Sequence, residues 1–228
     1  MPARAPRRAL AQPLALAIAL TLVAGACVGP LSSPTPVPAS SDSKTETRTV
    51  SAFTALSVSG PLNVVLAAGS AVSVQVEAPT SILPLIKTEV AGTELDVSVL
   101  PPGYTSAKPV TIRVTSPKVA SVSLADGATA TVEAMAKAMT ISVAGGATVK
   151  GIGTVQQLTV AVVGNSSAEL GDLAADTAAI SIAGGAKATL RVSKQLTGTA
   201  DGGSVVTLMV KPEAKSVTVT GGAKLVEP

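Results

Sequence analysis

From residue 50 onward, apolar and small polar residues alternate in short runs. The first half of this region contains four such runs, at residues 56–59, 72–76, 95–99 and 110–114. Successive side chains of a β-strand point to opposite faces, so each run predicts a strand with one buried and one solvated face. No segment between residues 50 and 228 has a convincing helical pattern. The body of the chain is therefore predicted to be all-β.

The second half of the chain contains an internal repeat. Five of its six copies have two apolar residues two positions apart, as at Ile141 and Val143, then a pair drawn from Gly, Asp and Asn, and then a small residue, while the fifth copy, at residues 196–204, is looser and irregular. The second residue of each pair anchors the alignment, and the anchors follow one another at steps of 19, 19, 20, 17 and 20. These predicted turn-forming residues are Gly127, Gly146, Asn165, Gly185, Gly202 and Gly222.

The Gly, Asp and Asn pairs predict tight corners, because these residues tolerate positive φ. A looser break follows each pair roughly half a period later, as at Gly171-Asp172. Strand, tight corner, strand and loose corner make one coil, and stacked coils need a near-constant period. We therefore predict a right-handed parallel β-solenoid, a β-helix-like stack of two sheets joined by tight Gly-rich turns, over residues 48–228. A β-sandwich of successive hairpins is the alternative.

The N-terminus has the parts of an export signal. Arg4, Arg7 and Arg8 precede the stretch 14–26, which is apolar apart from Thr21. This stretch is shorter than the ~20 residues that a membrane-spanning helix needs, and it matches the apolar region of a signal peptide. Residues 1–26 are therefore predicted to be a signal peptide. Cys27, the only cysteine of the chain, follows directly.

The sequence Val-Ala-Gly-Ala-Cys at residues 23–27 resembles a bacterial lipobox, although that pattern prefers Leu where Ala24 stands. The resemblance implies that Cys27 becomes the acylated first residue and anchors the protein to a membrane of the cell envelope. Val28 would favour the outer membrane in a Gram-negative source. An ordinary secretory signal with an incidental Cys27 is the alternative. Residues 27–47 are rich in Pro and Ser and are predicted to form a mobile tether.

The charge of the chain gives no indication of a nucleic-acid partner. The formal net charge is +3, but three of the 17 basic residues precede Cys27 and none of the 14 acidic residues does. The mature chain therefore has 17 − 3 = 14 basic and 14 acidic residues and is formally neutral. A basic face, which nucleic-acid binding requires, is not expected.

The residue types also restrict the chemistry of the chain. It has no His, and no Cys beyond Cys27, so His-based catalysis and Cys/His metal sites are excluded and no cofactor is expected. Aromatic residues make up only 1%, which disfavours stacking on sugars. Scattered carboxylates are interpreted as turn or surface residues. Any functional face is expected near the irregular fifth copy, around Asp172, Asp176, Asp201 and Lys194.

Three segments resemble the bacterial "putative auto-transporter adhesin, head GIN domain" family: residues 53–60, residues 62–66 with Gly69, and residues 95–99. The resemblance covers roughly residues 50–227, and the Gly-centred corners are similar to the family's Ser-Gly turns. It implies a pectin-lyase-like β-helix shape, no identified catalytic centre and a role in cell adhesion.

These observations together predict a surface-tethered extracytoplasmic lipoprotein with a non-catalytic binding module. Its expected partners are the membrane, through the lipid on Cys27, and a protein or cell-surface ligand that the sequence does not name. A homo-oligomer is compatible with the sequence. The alternatives are a polysaccharide-active enzyme of pectin-lyase-like shape and a purely structural envelope protein.

Overall fold

The alternating segments form strands throughout the part of the chain that the computed structural model describes, residues 35–228. The first ten strands are β1 (Val37–Pro38), β2 (Ser43–Arg48), β3 (Ala55–Ser59), β4 (Asn63–Ala68), β5 (Ser73–Pro79), β6 (Ile86–Ala91), β7 (Glu94–Val99), β8 (Tyr104–Thr105), β9 (Thr111–Ser116) and β10 (Ser121–Ala125). The remaining strands are β11 (Thr129–Val143), β12 (Thr148–Val163), β13 (Ser167–Ala183), β14 (Lys187–Ala200), β15 (Val205–Leu208), β16 (Ala214–Val219) and β17 (Lys224–Val226).

Helix is nearly absent from residues 35–228. The exception is a single turn of 3-10 helix, Leu83–Leu85, in agreement with the lack of a helical pattern in the sequence. Over the same residues, no helix is long and apolar enough to cross a membrane.

The four longest strands stack in parallel as the coils of a β-solenoid. Thr129 of β11 pairs with Thr148 of β12, Thr148 pairs with Ser167 of β13, and Ser167 pairs with Lys187 of β14. Each residue thus pairs with its equivalent in the next copy of the repeat, so one period of the sequence is one coil. Each long strand continues around the loose corner and so joins the two sheets. The predicted fold class is confirmed.

The core is a thin double layer of aliphatic side chains between the two sheets. One wall is a row in which Val122, Ile141, Val160 and Ile180 lie in register, each at most 4% exposed. The opposite wall has a matching row of small residues, Ala130, Val149, Ala168, Ala188 and Val206, each at most 2% exposed. Strict alternation in the sequence produces these rows, because every second residue of a strand faces the same side.

The N-terminal strands cap one end of the stack, and their order in space differs from their order in the chain. β3 pairs with β10, although six other strands lie between them in the sequence, and β4 pairs with β11 in the same way. On the side away from β10 and β11, β3 pairs with β7 and β4 pairs with β9. Antiparallel strands complete both sheets: β6 pairs with β7, β5 pairs with β9, and β2 pairs with β5. This arrangement closes the parallel stack with antiparallel edges, as solenoids require at their ends.

The folded part begins earlier in the chain than the predicted domain boundary at residue 48. Within the predicted tether, β1 pairs with β8, and β2 pairs with β5 from Ser43 opposite Pro79 to Arg48 opposite Val74. The sequence of β2 has no apolar residue, and an edge strand can be held by backbone hydrogen bonds alone, so the hydrophobic pattern does not predict it. The signal peptide and Cys27 lie outside the described residues.

Candidate functional site

The tight corners consist of two successive residues with positive φ, the geometry of a type I′ turn. φ is 61° and 75° at Gly145 and Gly146, and it is positive also at the two corners where a residue other than Gly takes part, through Asp126 (55°) and Asn165 (59°). The six pairs are Asp126-Gly127, Gly145-Gly146, Gly164-Asn165, Gly184-Gly185, Gly202-Gly203 and Gly221-Gly222.

The fifth corner lies one residue later than the sequence alignment placed it. The amide of Gly203 donates to the carbonyl oxygen of Gly221 at 2.8 Å, as the Gly127 amide donates to Gly145 at 3.0 Å. Gly203 is therefore the equivalent anchor, not Gly202, and with this correction the spacing of the anchors becomes more even. The sequence Asp-Gly-Gly at residues 201–203 allows the tight corner to form at residues 201–202 or at residues 202–203, and only the pairing between coils distinguishes the two.

This shift separates Asp201 from the position that Asp126 occupies. Asp126 is the first residue of its corner, whereas Asp201 precedes its corner. The Asp201 Oδ1 accepts hydrogen bonds from the Gly202 amide at 2.7 Å and the Thr220 hydroxyl at 3.0 Å. Asp201 therefore stabilises a turn, which is a common structural role for Asp.

Close stacking explains why small residues follow the corners. Ala147 and Ala186 are fully buried behind their corners, and Ser204 is buried with its hydroxyl donating to Ile182 O at 3.2 Å. The Ser166 hydroxyl donates to Val163 O at 2.7 Å and accepts from the Gly146 amide at 3.1 Å. These polar groups are used within the stack, so the tight corners present no buried polar group to a ligand.

The loose corner, in contrast, contains the main break in the repeat. Leu170 of β13 pairs with Leu190 of β14, but the next pair is Ala174 with Arg191. Gly171, Asp172 and Leu173 therefore have no partner in β14, and the coil that β14 begins is shorter at this corner. A groove of about 650 Å³ lies on the outer surface here and crosses residues 135–137, 154–156 and 174–176 of successive coils, followed by Arg191, Ser193 and Val210.

Most of the exposed residues of the groove are polar or charged. Val155 and Ala175 lie beneath the groove as core residues, only 5% and 3% exposed, while Met135 is 76% exposed at the surface of the groove. On the rim, the Asp176 carboxylate lies 3.1 Å from the ammonium group of Lys194. Among residues 35–228, Arg191 of the rim takes part in no ion pair.

The sequence of the solenoid shows to which family this protein belongs. The family model described as "putative auto-transporter adhesin, head GIN domain" matches residues 52–212, which include β3 to β15. The chain belongs to this family. The matched range contains both walls of the solenoid and the groove at its loose corner.

Solved structures of similar fold have low sequence identity to this head GIN protein. A putative adhesin from Bacteroides fragilis superimposes with a TM-score of 0.67 at 18% identity, covering 84% of this chain and 100% of its own. A putative lipid binding protein from Parabacteroides distasonis gives 0.52 at 14% identity, covering 85% and 100% of the two chains. A putative adhesin from Parabacteroides merdae gives 0.53 at 12%, covering 84% and 98%. These likenesses concern the fold. No curated protein matches the sequence.

The expected functional face of this head GIN protein is brought together only in part. Asp176 and Lys194 meet at the groove, whereas Asp201 directly precedes a tight corner and Asp172 lies in the segment of β13 that has no partner in β14. Within residues 35–228, no group of three or more Asp, Glu, His or Cys side chains is placed to hold a metal ion.

The sequence does not mark the apolar residues that line the groove. Val155 and Ala175 belong to the buried rows, and Met135 has no pattern that separates it from them although it is exposed. The irregular step of the fifth copy was the one signal that pointed to this part of the repeat.

Proposed function

We propose that this chain is a surface-tethered extracytoplasmic lipoprotein whose solenoid is a non-catalytic binding module in adhesion. The observation that carries the proposal is the match to an adhesin family over residues 52–212. The lipobox-like sequence ending at Cys27 supports the tether, because acylation of this residue would hold the solenoid at a membrane surface.

The chemistry of the groove supports binding rather than turnover. A catalytic centre needs several polar groups that converge on one reacting atom. At the groove, Asp176 is paired with Lys194, and Asp201 is engaged by a backbone amide and by Thr220 at a tight corner. Two carboxylates in these surroundings do not form the acid and base pair that glycoside hydrolysis uses.

The proposal is tested with the purified mature protein on intact cells and on panels of polysaccharides and esters. We expect saturable binding to a cell surface or polymer with no release of product. The triple variant Asp172→Asn, Asp176→Asn, Asp201→Asn should release no product either. Turnover by the wild type that disappears in the triple variant would overturn the proposal in favour of a polysaccharide-active enzyme.

A further inference from the structure

We propose that an ion pair between Lys215 and Glu227 ends the core of the solenoid and prevents two copies of the chain from joining end to end. The pair lies in the last coil, which consists of β16, the tight corner at Gly221-Gly222 and β17. The inference does not depend on the adhesive function, because it concerns only how the stack of coils terminates.

Lys215 occupies a position that faces the core in every preceding coil of the long strands. It pairs with Leu196, and the same register position is apolar in the three coils before that. The residues of this row are Met139, Leu158, Ala178 and Leu196, each at most 4% exposed. Because paired residues of adjacent strands point to the same face of a sheet, the Lys215 side chain leaves the backbone on the core side.

Glu227 takes the corresponding place on the opposite wall. Val226 pairs with Thr207, so the next residue, Glu227, comes beside Leu208. The row that it continues consists of Leu170, Leu190 and Leu208, each at most 2% exposed. The ammonium group of Lys215 and the carboxylate of Glu227 form an ion pair, and their side chains are 36% and 32% exposed. Two charges therefore stand where the preceding coil has two buried leucines.

The end of the stack is otherwise suited to pairing with another chain. Within residues 35–228, β16 pairs only with β14 and β17 pairs only with β15, so each strand has one unpaired edge. Val219 is 41% exposed, whereas Ala200 and Ile182 at the same register position are 0% and 1% exposed. An unpaired edge beside uncovered aliphatic side chains is a template for the addition of strands.

A second copy of the chain has the shape that would complete this end. A two-fold axis perpendicular to the stack would place the last coils of two copies face to face, core above core, with their strands antiparallel. The junction would then contain Lys215 and Glu227 of both copies. Removing these charges from water costs more than the burial of half-covered aliphatic side chains gains, so the ion pair disfavours the junction. Charges that point inward are one means by which natural sheets protect their edges.

The test is sedimentation equilibrium of the mature chain with Cys27→Ser, so that no acyl group causes association. This protein should have the mass of one chain at every concentration. Adding Lys215→Leu and Glu227→Leu should raise the mass toward that of two chains as the concentration increases. Association should stop at two, because antiparallel strands close the opposite end of the stack. The melting temperature should not fall, since apolar residues commonly replace a partly buried ion pair without loss of stability.

Two further variants show whether the position of the leucines decides the outcome. The variant Asp176→Leu, Lys194→Leu also removes an ion pair and adds two leucines, but on the outer surface at the groove, and it should remain monomeric. Adding Val219→Asp to Lys215→Leu, Glu227→Leu should restore the monomer, because it returns a charge to the exposed end of the stack.

The inference is overturned if the protein with Lys215 and Glu227 intact already dimerises, if the folded Lys215→Leu, Glu227→Leu variant stays monomeric, or if the Asp176→Leu, Lys194→Leu variant associates to the same extent. Dimers that persist with Val219→Asp would place the junction elsewhere and contradict it too. Loss of folding in the Lys215→Leu, Glu227→Leu variant would also contradict it, because the ion pair would then hold the last coil together rather than end the stack.

Discussion

The backbone of Gly145 lies directly against that of Asp126 in the preceding coil, so that a β-carbon at position 145 would stand 2.8 Å from the Asp126 amide nitrogen. The next residue, Gly146, has open space where its β-carbon would be. Both residues have positive φ, at 61° and 75°. The two glycines of one corner are therefore required for different reasons: Gly145 for close approach and Gly146 for its dihedral angle alone.

Gly145→Ala should consequently destabilise the protein more than Gly146→Ala does. The second substitution costs about 1–3 kcal/mol of backbone strain, and the first adds the displacement of a stacked backbone. Urea denaturation of both variants measures the difference. Equal losses of stability would show that the coils are not stacked as closely at this corner as the structure places them.

Asn165 tests the dihedral requirement separately. It occupies with φ of 59° the position that Gly holds at the other tight corners. Asn165→Gly should leave the free energy of unfolding nearly unchanged, whereas Asn165→Val should lower it by about 1–3 kcal/mol, because a β-branched residue is strained at positive φ. The account of the corners is wrong if Val is tolerated as well as Gly.

The solenoid could be predicted from the sequence because its determinants are local. Alternation places Ile141 and Val143 on one face, and Gly145-Gly146 fixes the corner after them without reference to distant residues. The frame of the fifth corner could not be predicted, because Asp201-Gly202-Gly203 permits two turns and the hydrogen bond from Gly203 to Gly221 decides between them.

The same limit applies to the edges and the candidate site. Strand β2 is polar throughout and is held by pairing with β5, from which β3 and β4 separate it in the chain. The groove depends on the register of β13 against β14, where Ala174 pairs with Arg191 and residues 171–173 have no partner in β14. The repeat in the sequence predicts the structure of a single coil, but it does not predict how residues of one coil pair with those of the next.

Tyr104 provides a spectroscopic test of the cap, because it is the only tyrosine and the chain has no tryptophan. Burial raises the pKa of the Tyr104 hydroxyl above its ordinary value of 10.0. The folded state then holds this proton more tightly than the unfolded state does. The associated stability is fully present below the unfolded pKa and is lost as the pH rises through the folded pKa.

Absorbance titration of the folded protein should therefore show tyrosinate forming at a higher pH than in denaturing urea. Tyr104→Phe should remove the transition. Identical midpoints in the folded and urea-denatured protein would mean that the Tyr104 side chain is not buried against the cap.

The central claim, a lipid-tethered adhesive module, is tested most directly by measuring attachment of cells that lack the gene and carry either the wild type or Cys27→Ser. The wild type should incorporate a fatty-acid analogue and restore attachment. Cys27→Ser should incorporate none and leave the cells detached while the folded solenoid is still produced. An unlabelled wild type, or attachment restored fully by Cys27→Ser, would contradict the account.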